Sequence, residues 1–143
     1  MSGDLYFLIA ALCSGIAALL HLVCIYYGAP GYRFFGAGEE IAQLAEKGSF
    51  VPAILTLGIA CVPAAWSLYA LSTAGVVRPL PFLQPVLVAI TAIYLLRALV
   101  GFFFVRIRVR GTTVLGNSPF FWAWSSAICL LIGITHLLGL VSK

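Results

Sequence analysis

Four long apolar stretches constrain this chain more than any other feature of its sequence. They run over about residues 5–27, 50–71, 82–105 and 119–141. A helix needs roughly 20 apolar residues to cross a hydrocarbon core about 30 Å thick, and each stretch is long enough. Because 63% of the 143 residues are hydrophobic and only 8% are charged, the chain lacks the polar side chains that cover a soluble fold. The sequence predicts an integral membrane protein.

The expected fold is an all-α bundle of four transmembrane helices in a single domain, residues 1–143. The first two spans are joined by a polar segment in which Gly28-Ala29-Pro30-Gly31 is expected to end the first helix in a turn. Residues 39–47 follow, with Ile41 and Leu44 at helical spacing and acidic residues at the start. This pattern predicts a short amphipathic helix lying at the membrane interface.

The basic residues near the ends of the spans predict the orientation. The first and third loops lie on one side of the membrane and carry most of the cations: Arg33, Lys47, Arg106, Arg108 and Arg110. The opposite side carries Arg78 and Lys143. Since cytoplasmic loops are enriched in Lys and Arg, we expect these two loops in the cytoplasm and both termini outside.

Arg97 is the residue that most invites a functional hypothesis, because it lies within the third span. Ionisable groups inside a membrane are costly, usually face the bundle interior and have a partner. At 1.5 Å per residue, Arg97 lies roughly 12 Å below the face that carries the first loop. Two bland alternatives remain open. Arg97 could extend to the lipid headgroups, or it could pair with a glutamate only to fix the fold.

Several polar residues share the depth of Arg97. His21, Thr56 and Ser126 lie at similar distances from the same face by the same count, and Tyr94 lies one turn from Arg97. We therefore expect a polar layer beneath the first loop. The predicted ligand-binding residues are Arg97, Tyr94, His21, Glu39, Glu40, Thr56, Ser126 and Trp122.

The histidines and cysteines give no sign of a cofactor or a metal. His21 and His136 are offset by roughly 16 Å along the membrane normal, so they cannot ligate one haem from both sides. The four cysteines all lie within spans and form no Cys-x-x-Cys motif, so we interpret them as small apolar residues. The sequence predicts no cofactor and no metal site.

Three classes of function are compatible with such a chain. The preferred one is a binding or accessory protein whose polar layer holds a lipid, a hydrophobic small molecule or a partner helix. The alternative is an enzyme on a lipid-soluble substrate, in which Glu39, Glu40 or His21 moves protons and Arg97 and Tyr94 bind the substrate. A transporter is less favoured, because no Asp or Glu lies inside a predicted span.

The apolar spans and their small residues also indicate the expected partners. Membrane lipids are the first, and the small residues repeated along the helix faces favour a homo-oligomer. The net charge of +4 relates to lipid headgroups and orientation, and no nucleic-acid partner is expected.

The residues His21, Tyr26-Tyr27, Gly36-Ala37-Gly38-Glu39-Glu40 and 94–97 resemble a family of uncharacterised bacterial four-helix inner-membrane proteins. The resemblance covers most of the chain and implies a bacterial cytoplasmic membrane, but no activity. The layout of four spans is also similar to the trimeric membrane glutathione-transferase superfamily. That superfamily has an arginine–asparagine–glutamate signature in its second span, whereas residues 50–71 contain no charged residue, so the activity is not carried over.

Overall fold

The computed structural model describes residues 2–109, 112–113 and 117–143, and for residues 108–109 and 112–113 it describes the backbone only. In chain order the elements are α1 (Gly3–Tyr27), α2 (Ala29–Phe34), α3 (Glu39–Glu46), α4 (Val51–Thr73), α5 (Leu83–Arg106), β1 (Arg108–Val109), β2 (Thr112–Thr113) and α6 (Pro119–Val141). The two short strands pair antiparallel. Arg110 and Gly116, which belong to the predicted third loop, lie outside the described residues.

Four of these helices, α1, α4, α5 and α6, are long and apolar enough to cross a membrane. Their bounds agree with the predicted spans to within two residues. The predicted all-α fold with four transmembrane helices is confirmed, and the chain is a small multi-pass membrane protein. Where α6 begins, Ser118 Oγ accepts a hydrogen bond from the Phe121 backbone N–H at 3.0 Å, and Pro119 occupies the first turn, where its missing N–H costs nothing.

The segment after α1 differs from the prediction. α1 does end before Gly28, its C-terminal cap, whose φ of 60° lies in the left-handed region that glycine adopts without strain. The next residues, however, form the six-residue helix α2 instead of a turn. Pro30 does not prevent this helix, because it lies in the first turn of α2, where proline is well tolerated.

The predicted interfacial helix between the first two spans is confirmed as α3. It begins at Glu39 and ends at Glu46, and Lys47 is its C-terminal cap. Glu39 and Glu40 lie in its first turn, where the helix dipole favours negative charge. Ala42, the one fully buried residue of α3, packs with Tyr32 of α2 and Cys24 of α1, so the two short helices form a cap on one end of the bundle.

The hydroxyl group of Ser72 makes two hydrogen bonds to the connection between α4 and α5. Ser72 Oγ donates to the Arg78 carbonyl at 3.0 Å and accepts from the Leu80 backbone N–H, also at 3.0 Å. This side chain closes the turn that the sequence predicted from Arg78, Pro79 and Pro81, and it does so from the last helical residues of α4.

The helices pack most extensively as two pairs, α1 with α4 and α5 with α6, and α1 also packs against α6. The contact between α4 and α5 is smaller. The core on the side of the termini contains Phe7, Ala11, Ala70 and Leu87. Small residues permit close approach: a β-carbon at Gly133 of α6 would lie 2.7 Å from Leu95 Cδ2 of α5.

Candidate ligand-binding site

Arg97 lies between α5 and α6, where two α6 side chains hold its guanidinium group. The guanidinium carbon lies 4.7 Å from the centroid of the Trp122 ring, within the range of a cation–π interaction. Arg97 Nη2 also donates a hydrogen bond to Ser125 Oγ at 3.1 Å. The residue is half-buried, and these two contacts hold its guanidinium group against α6.

A glycine makes the space for this arrangement. A β-carbon at Gly101, one turn after Arg97 on α5, would lie 2.5 Å from Arg97 Nη1 and would overlap Ser126 Oγ. Gly101 and Ser126 are both buried. The structure therefore brings together Arg97, Trp122 and Ser126 from the predicted set, and it adds Ser125.

The electrostatics of this site are unbalanced. Arg97 Nη1 and Ser126 Oγ are buried and have no hydrogen-bond partner within the described residues. All four acidic residues of the chain are described, and three of them form ion pairs within 4.0 Å: Glu39 and Glu46 with Arg33, and Asp4 with Lys143. Arg97 thus carries a positive charge inside a membrane span without a carboxylate beside it. Such a site favours an anionic group or a carbonyl oxygen as its ligand.

Glu39, expected to cover this layer, pairs instead with Arg33 of α2. Arg33 Nη2 donates to Glu39 Oε1 at 2.7 Å, and Arg33 Nη1 donates to Glu46 Oε1 at 2.5 Å. The hydrogen bonds from Arg33 lower the pKa of Glu39 and of Glu46 from their ordinary value, and the two carboxylates raise the pKa of Arg33. This ion-pair clamp joins α2 to both ends of α3.

Tyr94 belongs to a second cluster in the bundle interior. Its hydroxyl lies 3.0 Å from Ser14 Oγ of α1, and the bond between them is buried. Its ring makes an edge contact with Trp66 of α4, with centroids 4.8 Å apart, and a tilted contact with His136 of α6 at 5.7 Å. Tyr94 therefore connects all four transmembrane helices and is not directed to the Arg97 site.

His136 is the member of this cluster that the prediction left out. It is fully buried, and its Nδ1 donates to the Ile132 carbonyl at 3.0 Å, so the neutral ring presents Nε2 as an acceptor. Nε2 has no partner within the described part of the chain. The sequence contains a signal for this cluster, because His136 lies on the same small-residue stripe of α6 as Ser126, and Ser14 lies in the repeat of small residues on α1.

The remaining predicted site residues, His21, Thr56 and Glu40, make no described contact with Arg97. His21 Nδ1 donates to the Ala17 carbonyl of its own helix at 2.6 Å. Thr56 is half-buried on α4, and Glu40 is exposed on α3. The expected polar layer is therefore divided among the Arg97 site, the Ser14–Tyr94–His136 cluster and the Arg33 clamp, and His21, Thr56 and Glu40 make no described contact with any of the three.

No group of three His, Cys, Asp or Glu side chains in the described residues is placed to hold a metal ion. The cysteines at 13, 24, 61 and 129, all within the described ranges, are unpaired. The chemistry available at the Arg97 site is therefore that of a cation, an indole ring and two hydroxyl groups, which can bind and orient a ligand.

No protein-family model, no curated protein and no solved structure matches the chain. The function of this chain is therefore inferred from the geometry of the site.

Proposed function

We propose that this small multi-pass membrane protein is a binding protein for an anionic lipid, whose phosphate group docks on Arg97. The observation that carries the proposal is the buried Nη1 of Arg97, which has neither a hydrogen-bond partner nor a carboxylate in the described residues. A guanidinium group binds phosphate oxygens through several parallel N–H donors.

The surroundings of Arg97 support a ligand of this charge. Trp122 and Ser125 orient the guanidinium but supply no negative charge, and Ser126 Oγ is a further hydroxyl donor beside it. The first and third loops, at the end of the bundle nearest Arg97, carry most of the chain's cations. Basic residues at a membrane surface attract anionic lipids, which raises their local concentration next to the site.

The alternative of an enzyme has weaker support. Glu39 is held by Arg33 at the surface, and His21 bonds to the carbonyl of Ala17 on its own helix. General acid–base catalysis needs its proton donor or acceptor within hydrogen-bond reach of the bound substrate. Because these groups make their contacts away from Arg97, binding is preferred over catalysis.

Lipid retention tests the proposal. The full-length protein is stripped of lipid in mild detergent, titrated with phosphatidylglycerol or with zwitterionic phosphatidylcholine, and examined by native mass spectrometry. The wild type is expected to retain one phosphatidylglycerol in preference to phosphatidylcholine. Arg97→Gln is expected to lose that preference, because glutamine cannot supply the charge.

Arg78→Gln is the matched control, since it removes the same charge from an exposed position at the other end of the bundle. It should retain phosphatidylglycerol as the wild type does. Equal retention of the anionic lipid by wild type and Arg97→Gln would overturn the proposal, and Arg97 would then be a structural residue that reaches the headgroups.

A further inference from the structure

A cleft separate from the Arg97 site lies beneath the cap formed by α2 and α3. It has a volume of about 210 Å³ and is open on one side. Its walls come from the last turn of α1, from α2, from the end of α3 and from the first turn of α4, and they are mostly apolar. Tyr32, Ser49 and Phe50 are among the lining residues.

Two hydroxyl groups are associated with this otherwise apolar wall. Tyr32 is only 2% exposed, and its hydroxyl has no hydrogen-bond partner in the described residues. Ser49 Oγ accepts a hydrogen bond from the Val51 backbone N–H at 3.3 Å, which leaves its own proton available for donation. A buried hydroxyl without a partner is unfavourable, so the site calls for an acceptor.

The position of the cleft indicates which acceptor the membrane provides. The cleft lies where α1 ends and α4 begins, and the aromatic side chains at this level face outward: Tyr26 is 85% exposed and Phe50 is 79% exposed. Exposed aromatic residues at the ends of spans mark the membrane–water interface. The ester groups of glycerolipids lie in this interfacial layer, and they offer carbonyl acceptors without any competing donor.

We infer that the Tyr32 cleft is a second lipid site, which binds the ester carbonyl of a diacyl glycerolipid. The Tyr32 hydroxyl, which has no partner in the described residues, donates to the carbonyl after a small shift of its ring. The volume suits the ester group and the first carbons of the chain, while the rest of the chain extends along the exposed apolar side chains Ile54 and Leu57 of α4. Recognition here depends on the ester and not on the charge of the headgroup, so it is independent of Arg97.

A pair of lipids that differ only at the ester tests this inference. The delipidated full-length protein is titrated with diacyl phosphatidylcholine or with its dialkyl ether analogue of equal chain length, and bound lipid is counted by native mass spectrometry. The wild type is expected to prefer the ester lipid by roughly two- to tenfold, which corresponds to one net hydrogen bond. Tyr32→Phe, which removes only the hydroxyl group, should abolish the preference.

Tyr26→Phe is the control, because it removes a hydroxyl from an exposed tyrosine in the last turn of α1, and it should keep the ester preference. Infrared spectra of lipid labelled with carbon-13 at the carbonyl give a second readout, a lowered stretching frequency for the bound ester in the wild type. Equal binding of ester and ether lipids by the wild type would overturn the inference even if Tyr32→Phe failed to fold. Retention of the preference in a folded Tyr32→Phe variant would overturn it too. Arg97→Gln should leave the ester preference unchanged, which separates this site from the phosphate site.

Discussion

Ser14 Oγ and Tyr94 Oη lie 3.0 Å apart in the interior of the bundle and join α1 to α5. These two helices are not among the extensively packed pairs, which are α1 with α4 and α5 with α6. The hydroxyl–hydroxyl contact is therefore a polar link between the two halves of the chain, surrounded by Trp66 and His136.

Removing this link should destabilise the protein measurably. Ser14→Ala and Tyr94→Phe should each lower the free energy of unfolding by about 0.5–1.5 kcal/mol, because each leaves the other hydroxyl without its partner. The double variant should cost less than the sum of the two. Unfolding in mixed detergent micelles measures these values. Tyr69→Phe, which removes a hydroxyl at the exposed turn, is the control and should have a smaller effect. Additive costs would contradict the coupling.

Gly101 should tolerate no side chain. Gly101→Ala places a methyl group against Arg97 Nη1 and Ser126 Oγ, and overpacking of this kind costs about 1–3 kcal/mol. Adding Ser126→Ala removes the overlapping hydroxyl and should recover part of the loss. Gly58→Ala is the matched control, since nothing lies within 4 Å of a β-carbon there, and it should be neutral or stabilising. A neutral Gly101→Ala variant would show that the Arg97 site is loosely packed.

The Arg33 clamp predicts a loss of stability in acid. The pKa values of Glu39 and Glu46 are lowered below their ordinary 4.5, so their stabilising contribution is present above that value and disappears as the pH falls through the lowered pKa. The melting temperature of the wild type should therefore fall on acidification through this window. Arg33→Gln, which has no ion pair to lose, should show a smaller fall. Parallel pH profiles for the two proteins would contradict the prediction.

Glu39 should couple energetically to Arg33 and not to Arg97. In double-mutant cycles measured by thermal unfolding, Arg33→Ala with Glu39→Ala should be non-additive, because the two side chains share two hydrogen bonds. Arg97→Ala with Glu39→Ala should be additive. The coupling to Arg33 should weaken at high salt, since both side chains are about half exposed and exposed ion pairs are screened. Coupling between Glu39 and Arg97 would mean that α3 folds down over the Arg97 site.

The transmembrane helices could be predicted from the sequence because length and hydropathy determine which segments cross a bilayer. The short helix α2 could not, since Pro30 and Gly31 are typical both of a turn and of a helix start. The difference is decided by the packing of Tyr32 against Ala42 and Cys24. That packing is a tertiary contact that no local pattern contains.

The candidate site was only partly predictable, because the sequence gives the depth of a side chain in the membrane but not the neighbour that it faces. Counting residues gives the depth of a side chain in the membrane, and Arg97 and Ser126 do meet around Gly101. Depth does not give the direction around the helix axis. Tyr94, one turn away, is directed to Ser14 of α1, whereas Arg97 faces α6. Pairing of Arg97 with a glutamate was one of the alternatives left open by the sequence, whereas Glu39 pairs with Arg33, six residues away along the chain.

The two extensively packed helix pairs, α1 with α4 and α5 with α6, each lie within one half of the chain. A ribosome that delivers the chain from the N-terminal side therefore completes the first helical hairpin before the second enters the membrane. Each hairpin can insert as an already packed pair of helices. The later contact of α6 with α1 joins the two pairs. We therefore expect this bundle to form by docking of two preassembled hairpins. Two separately inserted polypeptides, divided at the turn after α4, would carry the same main contacts as the intact chain.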